Sequence, residues 1–308
     1  MGFINKLKVI VLCIFGFSAY INNVYASDVV VILGQDLKVF QRTKEGLQKA
    51  CKYKITEFSL YSNTDKIDEF VDKIKTVNPK VIGAIGPKAA QIAKLHFPNI
   101  PVVFALVTNP LQYDLDDVNI SGVSLDVAPE DQFSYLKKIM PQTKKVGVIY
   151  NPERNKNVLD EANSVCGNFN LELLPKAVKD IKGVPDAISF FEKEKIDAFW
   201  MITDSVVANS AVFERLLLFS FSNKIPLICP AAVFVKKGGF FSVSVSYTSL
   251  GIQMAEIINN IVAGKTTPEE SGIQWPSDIT LTINMNTANK IGIVIPESVK
   301  NQAKLILQ

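Results

Sequence analysis

Histidine is nearly missing from this 308-residue chain, where His96 stands alone. One imidazole cannot build a zinc cluster, nor a His-paired nucleophile together with its orienting partner. Its position before Phe97-Pro98, at the end of a helical pattern, suits a helix C-terminus, where a basic side chain meets the dipole. Cysteine is scarce as well, with four residues and no C-x-x-C spacing. Cys51, Cys166 and Cys229 lie far apart in apolar-periodic surroundings and read as small buried hydrophobes, and an odd number leaves at least one thiol free. No block of one charge sign occurs among the 33 Lys and Arg and 30 Asp and Glu residues, which argues against a nucleic-acid partner. Also missing are a G-x-G-x-x-G fingerprint after a strand, a G-x-S-x-G elbow and a P-loop. No cofactor and no catalytic residue are therefore expected.

The one long apolar run comes at the start. Lys6 and Lys8 precede Val9 to Tyr20, interrupted only by Gly16 and Ser18, and Val24-Tyr25-Ala26 supplies cleavage-site residues ahead of Ser27. That order predicts a secretory signal peptide over residues 1–26 and an exported, periplasmic protein; an uncleaved anchor is the alternative. Cys13 sits inside the run, away from the cleavage site, which argues against lipid attachment. Cleavage leaves 31 basic and 30 acidic residues, a net charge of +1. The remaining length of about 280 residues fits two medium lobes better than one core. No later segment reaches the ~18 apolar residues of a membrane span.

From Val29 onward, short apolar runs alternate with amphipathic helical patterns. Val29 to Leu33 is a continuous apolar run, as a parallel strand buried on both faces requires. Strands are also predicted at 54–60, 80–85, 101–106, 145–150, 171–174, 197–202, 225–229, 240–245 and 279–283. Between them, Ile67, Phe70, Val71, Ile74 and Val77 stripe one helix, and Val158, Leu159, Ala162, Val165 and Cys166 another. Such alternation argues for βαβ units and doubly wound sheets. An internal echo links 80–85 and Ile100-Pro101 to 197–202 and Ile225-Pro226, which points to two similar halves facing one cleft. The expected lobes are 27–124 plus 247–272, and 125–246 plus 273–308. A chain that returns to each lobe makes a multi-strand hinge.

Several motifs together resemble the substrate-binding proteins of ABC transporters, the branch that includes tryptophan- and tyrosine-binding receptors. They are Ile100-Pro101-Val102-Val103-Phe104 with Asn109-Pro110, Asn119 through Ser124, Val146 through Pro152, Tyr247 with Leu250-Gly251, and Ile283-Asn284 with Ala288 and Ile291 through Pro296. The resemblance implies an α/β fold of two doubly wound, Rossmann-like lobes, the type I periplasmic-binding-protein architecture. It further implies a monomer without catalysis that closes on a small-molecule solute and delivers it to membrane permease subunits. Two departures weaken an aromatic amino acid as that solute. Gly86-Pro87-Lys88 replaces a Gly-Thr turn, and Pro87 has neither an N–H nor a hydroxyl. Asn109 replaces an Asp.

Candidate ligand residues lie where strands end at the proposed cleft. Gln35 and Asp36 follow the first strand and can bond a polar ligand, or Asp36 caps a helix. Phe40 is a ligand platform or core. Gly86, Thr108 and Asn109, with Ser124 at the crossover, edge the first lobe; Tyr150 and Asn151 are the second-lobe counterparts, and turn chemistry is the alternative for each. Asp204, after the strand at 197–202, is the candidate partner for a ligand ammonium, or again a cap. Ser246 and Tyr247 sit at the return crossing, where a phenol covers a ligand or braces the hinge. Trp200 and Trp275 are assigned structural roles. A sensing subunit for a membrane kinase or chemoreceptor, or an enzyme on the same fold, remains the alternative function.

Overall fold

The computed structural model describes residues 28–62 and 66–308, so the expected signal peptide lies outside the described residues. The first lobe begins β1 (Val29–Leu33), α1 (Lys38–Ala50), β2 (Ile55–Ser59), α2 (Ile67–Val77), β3 (Val81–Ile85), α3 (Pro87–His96), β4 (Val102–Val107) and β5 (Ile120–Ser124). β1, β3, β4 and β5 are buried along their whole length, because helices cover both faces of their sheet. The helices stop where the sequence stops them. Asn78 ends α2 in the left-handed region at φ 51°, and Pro87 opens α3 at its first turn, where a missing N–H costs nothing.

The second lobe follows with α4 (Pro129–Ile139), β6 (Lys145–Tyr150), α5 (Pro152–Cys166), β7 (Glu172–Ala177), α6 (Val184–Glu194), β8 (Ala198–Trp200), α7 (Ser210–Asn223), β9 (Leu227–Cys229), α8 (Ala232–Lys236) and β10 (Phe241–Val245). The chain then re-enters the first lobe with α9 (Tyr247–Val262), α10 (Pro268–Ser271) and β11 (Ile273–Gln274). It finishes in the second with β12 (Ile279–Asn284), α11 (Met285–Ile291), α12 (Glu297–Lys300) and β13 (Ala303–Leu307).

The first sheet has the order β11-β5-β4-β3-β1-β2, and every pair in it is parallel. The second has the order β13-β12-β10-β9-β8-β6-β7, with β12 antiparallel to β10. Each sheet is sandwiched between two separate apolar clusters, one per face. This is an α/β fold of two doubly wound lobes, and the chain crosses between them three times, after β5, after β10 and after β11. Residues 273–274, grouped with the second lobe from sequence, hydrogen-bond to Gly122 and Val123 in the first sheet.

The re-entrant helix α9 packs along α1. A Cβ on Gly46 would meet the Thr248 carbonyl at 1.9 Å, and one on Gly251 the Thr43 carbonyl at 1.9 Å. Backbone therefore touches backbone at this crossing. Around it, the Asn259 side chain accepts from the Lys52 amide and donates to the Ala50 carbonyl.

Candidate functional site

Where β4 leaves the first sheet, its backbone breaks rule. Leu106 (φ 62°) and Asn109 (φ 41°) both lie in the left-handed region, and the pairing of β4 with β5 shifts register between Phe104 and Val107. For residues with a Cβ this conformation costs about 1–2 kcal/mol each. The kink turns Thr108 and Asn109 toward the second lobe, above a cavity of about 490 Å³. The cavity spans both lobes. Its wall runs from Thr108–Leu111 through the crossing at Ser124–Val127 to α5, then over the ends of β8, β9 and β10 to Tyr247, Ile273 and Trp275.

Much of that wall is apolar or aromatic, with Val127, Val158, Met201, Ile202, Val233, Phe234 and Val243 beside the rings of Trp200, Tyr247 and Trp275. Trp200 is 2% exposed, and its indole N–H donates to Gln132 Oε1 at 2.9 Å, which leaves a ring edge on the wall. Flat apolar walls with a few placed polar groups are how small-molecule sites are built.

Asp126 is the central polar group. Its carboxylate accepts from the Asn109 amide and from the Ser124 hydroxyl, and Thr203 at the end of β8 also hydrogen-bonds it. Burial nevertheless pushes its pKa up, against those neutral donors. Glu161 of α5 lines the same cavity, and its pKa is raised by burial first and by the Asp126 charge second.

A second polar cluster ties the lobes together. The Asn109 side-chain amide donates to the Arg154 carbonyl at 2.6 Å and to the Asn155 and Asn157 side chains at 3.1 and 3.2 Å. Asn157 returns a bond of 2.6 Å to Asn109 Oδ1. Asn155 departs from helical geometry inside α5 (φ −121°, ψ 19°) and donates to Asp204.

Of the residues expected from sequence, Thr108, Asn109, Ser124 and Tyr247 line the cavity. Asp204 does not. It is 2% exposed and holds the Asn151 amide at 2.7 Å, the Asn155 side chain at 2.6 Å and the Val206 amide at 2.7 Å. Three donors within the protein occupy it, and it shapes the loop that carries Asn155. Asn151 caps α5, Ser246 caps α9 and Tyr150 is half-buried at the end of β6, and none of the three is on the cavity wall. Gln35 and Asp36 are exposed on the first lobe, where Asp36 accepts from Gln41. Phe40 fills the first-lobe crevice: its ring lies 2.5 Å from where a Cβ on Gly86 (φ 96°) would be.

Asp126, Glu161 and Asn157 were not among the residues expected from sequence, and Trp275, assigned a structural role, is 40% exposed on the cavity wall. Asp126 carries one local signal, an acid directly between the strand ending at Ser124 and the helix opened by Pro129.

A family model described as ABC transporter substrate binding protein matches residues 29–306. A tyrosine-binding protein of Clostridioides difficile (strain R20291) is 26% identical over 236 residues, which are 72% of this chain and 68% of that protein. The ligand-free, open structure of a Clostridium difficile substrate-binding protein with adhesive properties superposes with a TM-score of 0.71 at 21% identity, covering 91% of this chain and 98% of that one. A Streptococcus pneumonia ABC domain in complex with L-Trp gives 0.61 at 22% identity, covering 91% and 100%. The chain belongs to the ABC transporter substrate-binding protein family.

Proposed function

We propose that this member of the substrate-binding family is the exported receptor of an ABC importer and closes its two lobes on a small aromatic solute carrying an ammonium group. The tyrosine-binding relative and the L-Trp complex make an aromatic amino acid, or a compound that shares its ring and ammonium, the first candidate. The observation that carries this reading is the interlobe cavity, which sets the Asp126 carboxylate among aromatic side chains at the point where both lobes and a hinge crossing meet. An ammonium beside Asp126 would replace neutral donors with a charge-assisted bond and relieve the cost of burying that carboxylate.

Closure follows from where the contacts come from. One lobe offers Thr108 and Asn109, the other Trp200, Thr203 and Phe234, so a solute touches its full set of partners only when the lobes are together. Differential affinity for that state is what drives the population toward it. The closed form is then the one a permease recognises. Export rests on the signal peptide expected from the sequence at residues 1–26; among the described residues no helix is long and apolar enough to cross a membrane.

A thermal-shift screen against amino acids, amines and other metabolites tests the reading. A ligand specific for the folded state adds ~2.7 kcal/mol at a hundredfold excess over its dissociation constant. A selective shift that disappears in Asp126→Ala supports the receptor and its ammonium partner together. Silence across a broad library counts against both.

A further inference from the structure

The cavity is charged on one side only. Asp126 and Glu161 both line it, while no lysine, arginine or histidine does so among the described residues. Asp126 has neutral hydrogen-bond donors, and the Glu161 carboxylate pairs with no donor or cation among the described residues. Each feels burial, and Glu161 also feels Asp126. Two like charges on a partly desolvated wall repel, and a cation placed between them removes that cost for both.

A solute carboxylate finds no cationic side chain on the described wall. The side-chain amides of Asn109 and Asn157 are bonded to each other across the lobes, and Gln132 is held by Trp200 and by the Val127 carbonyl. Among side chains, what remains on the wall are the Trp275 indole N–H and hydroxyls such as Thr108 and Ser244, with the first backbone amides of α8 beside them and no cation. A neutral hydroxyl is a poor exchange for the hydration of an anion, more so with two carboxylates in the same space. The turn at Gly86 and Pro87 lies outside the cavity wall and brings no proline N–H in any case.

We infer that the solute is an aromatic amine, a cation with a flat apolar body and no carboxylate, whose ammonium sits between Asp126 and Glu161. This rests on the interlobe cavity being the solute site. The apolar wall takes the ring, and selectivity against amino acids comes from the two acids rejecting the added negative charge.

Titration calorimetry on the purified protein at neutral pH, with tryptamine, tyramine and phenethylamine each set against tryptophan, tyrosine and phenylalanine, decides the matter. At least one amine is expected to bind about tenfold or more tighter than its amino acid. Glu161→Gln should weaken that amine by about tenfold and move it toward parity with the amino acid, while the unliganded protein melts at or slightly above the parent temperature at neutral pH. If every amino acid binds more tightly than its amine, the inference is overturned and the receptor reading stands. If Glu161→Gln leaves amine affinity unchanged, the inference falls in the same way. Binding of none of the six overturns it too, and the wider metabolite screen then tells whether the receptor reading falls with it.

Discussion

Asp126 places a carboxylate where water is scarce and every donor is neutral, and that has a measurable sign. A folded-state pKa above the ordinary carboxylate value means the folded protein holds more protons than the unfolded chain in the window just above about pH 4. Stability of the unliganded protein from this group therefore rises as pH falls through that window. Glu161 and Asp131 are shifted in the same direction by burial. Thermal unfolding at pH 7 and pH 5 should show Asp126→Asn more stable than the parent at pH 7 by a few degrees, with the gap closing at pH 5; a gap that widens toward pH 5 would contradict this. Asp204 contributes to stability through its hydrogen bonds. Its carboxylate satisfies three buried donors, so Asp204→Ala should cost about 2–4 kcal/mol in urea unfolding. At saturating ligand, the folded Asp204→Ala protein should keep most of its solute affinity, whereas Asp126→Ala should lose it.

At the scale of elements, the sequence motifs that announce the family turn out to be fasteners. Asn284 caps α11 and donates to the Val235 carbonyl, Gly292 ends that helix at φ 77°, and Asn119 spans the Pro98 and Ile100 carbonyls. Gly251 of the Leu-Gly pair lets α9 touch α1. Gly251→Ala or Gly46→Ala would drive a methyl into a backbone carbonyl, and each should cost about 2–3 kcal/mol or more, read as a shift in the urea midpoint at unchanged slope. This explains what was legible. Buried strands such as β1 and β4 print as apolar runs, and helices such as α2 print as stripes, because each reports on its own burial. β13 escaped notice because it is short and alternates half-buried with exposed residues at a sheet edge. β8 proved shorter than the run at 197–202: the Met201 amide still reaches the Ile228 carbonyl of β9, and Ile202 then turns along the cavity wall. The candidate cavity was legible only at Thr108, Asn109, Ser124 and Tyr247, residues at strand ends or crossings. Glu161 and Asn157 are single polar residues whose meaning arises from convergence in space, which no local pattern records.

At the scale of the whole molecule, the Asn109 side chain is a link between the lobes, carrying hydrogen bonds from the end of β4 across to α5. Asn109→Ala should open the unliganded protein, increasing its radius of gyration in small-angle X-ray scattering, with recovery on ligand saturation. Apparent affinity should fall in proportion to the lost closed fraction. A radius identical to the parent's in the absence of solute would show that the clasp does not set the resting state. The interleaved path of the chain has a further consequence, in time rather than in space. The Lys52 amide waits for Asn259, a partner 207 residues downstream, and α1 has no covering helix until α9 has been made. The first lobe is thus begun first and completed near the end of synthesis. A ribosome-bound chain stopped near residue 245 would expose the Val29–Leu33 sheet on one face, remain sensitive to protease and attract chaperones, while the finished chain would fold slowly through contacts of high sequence separation.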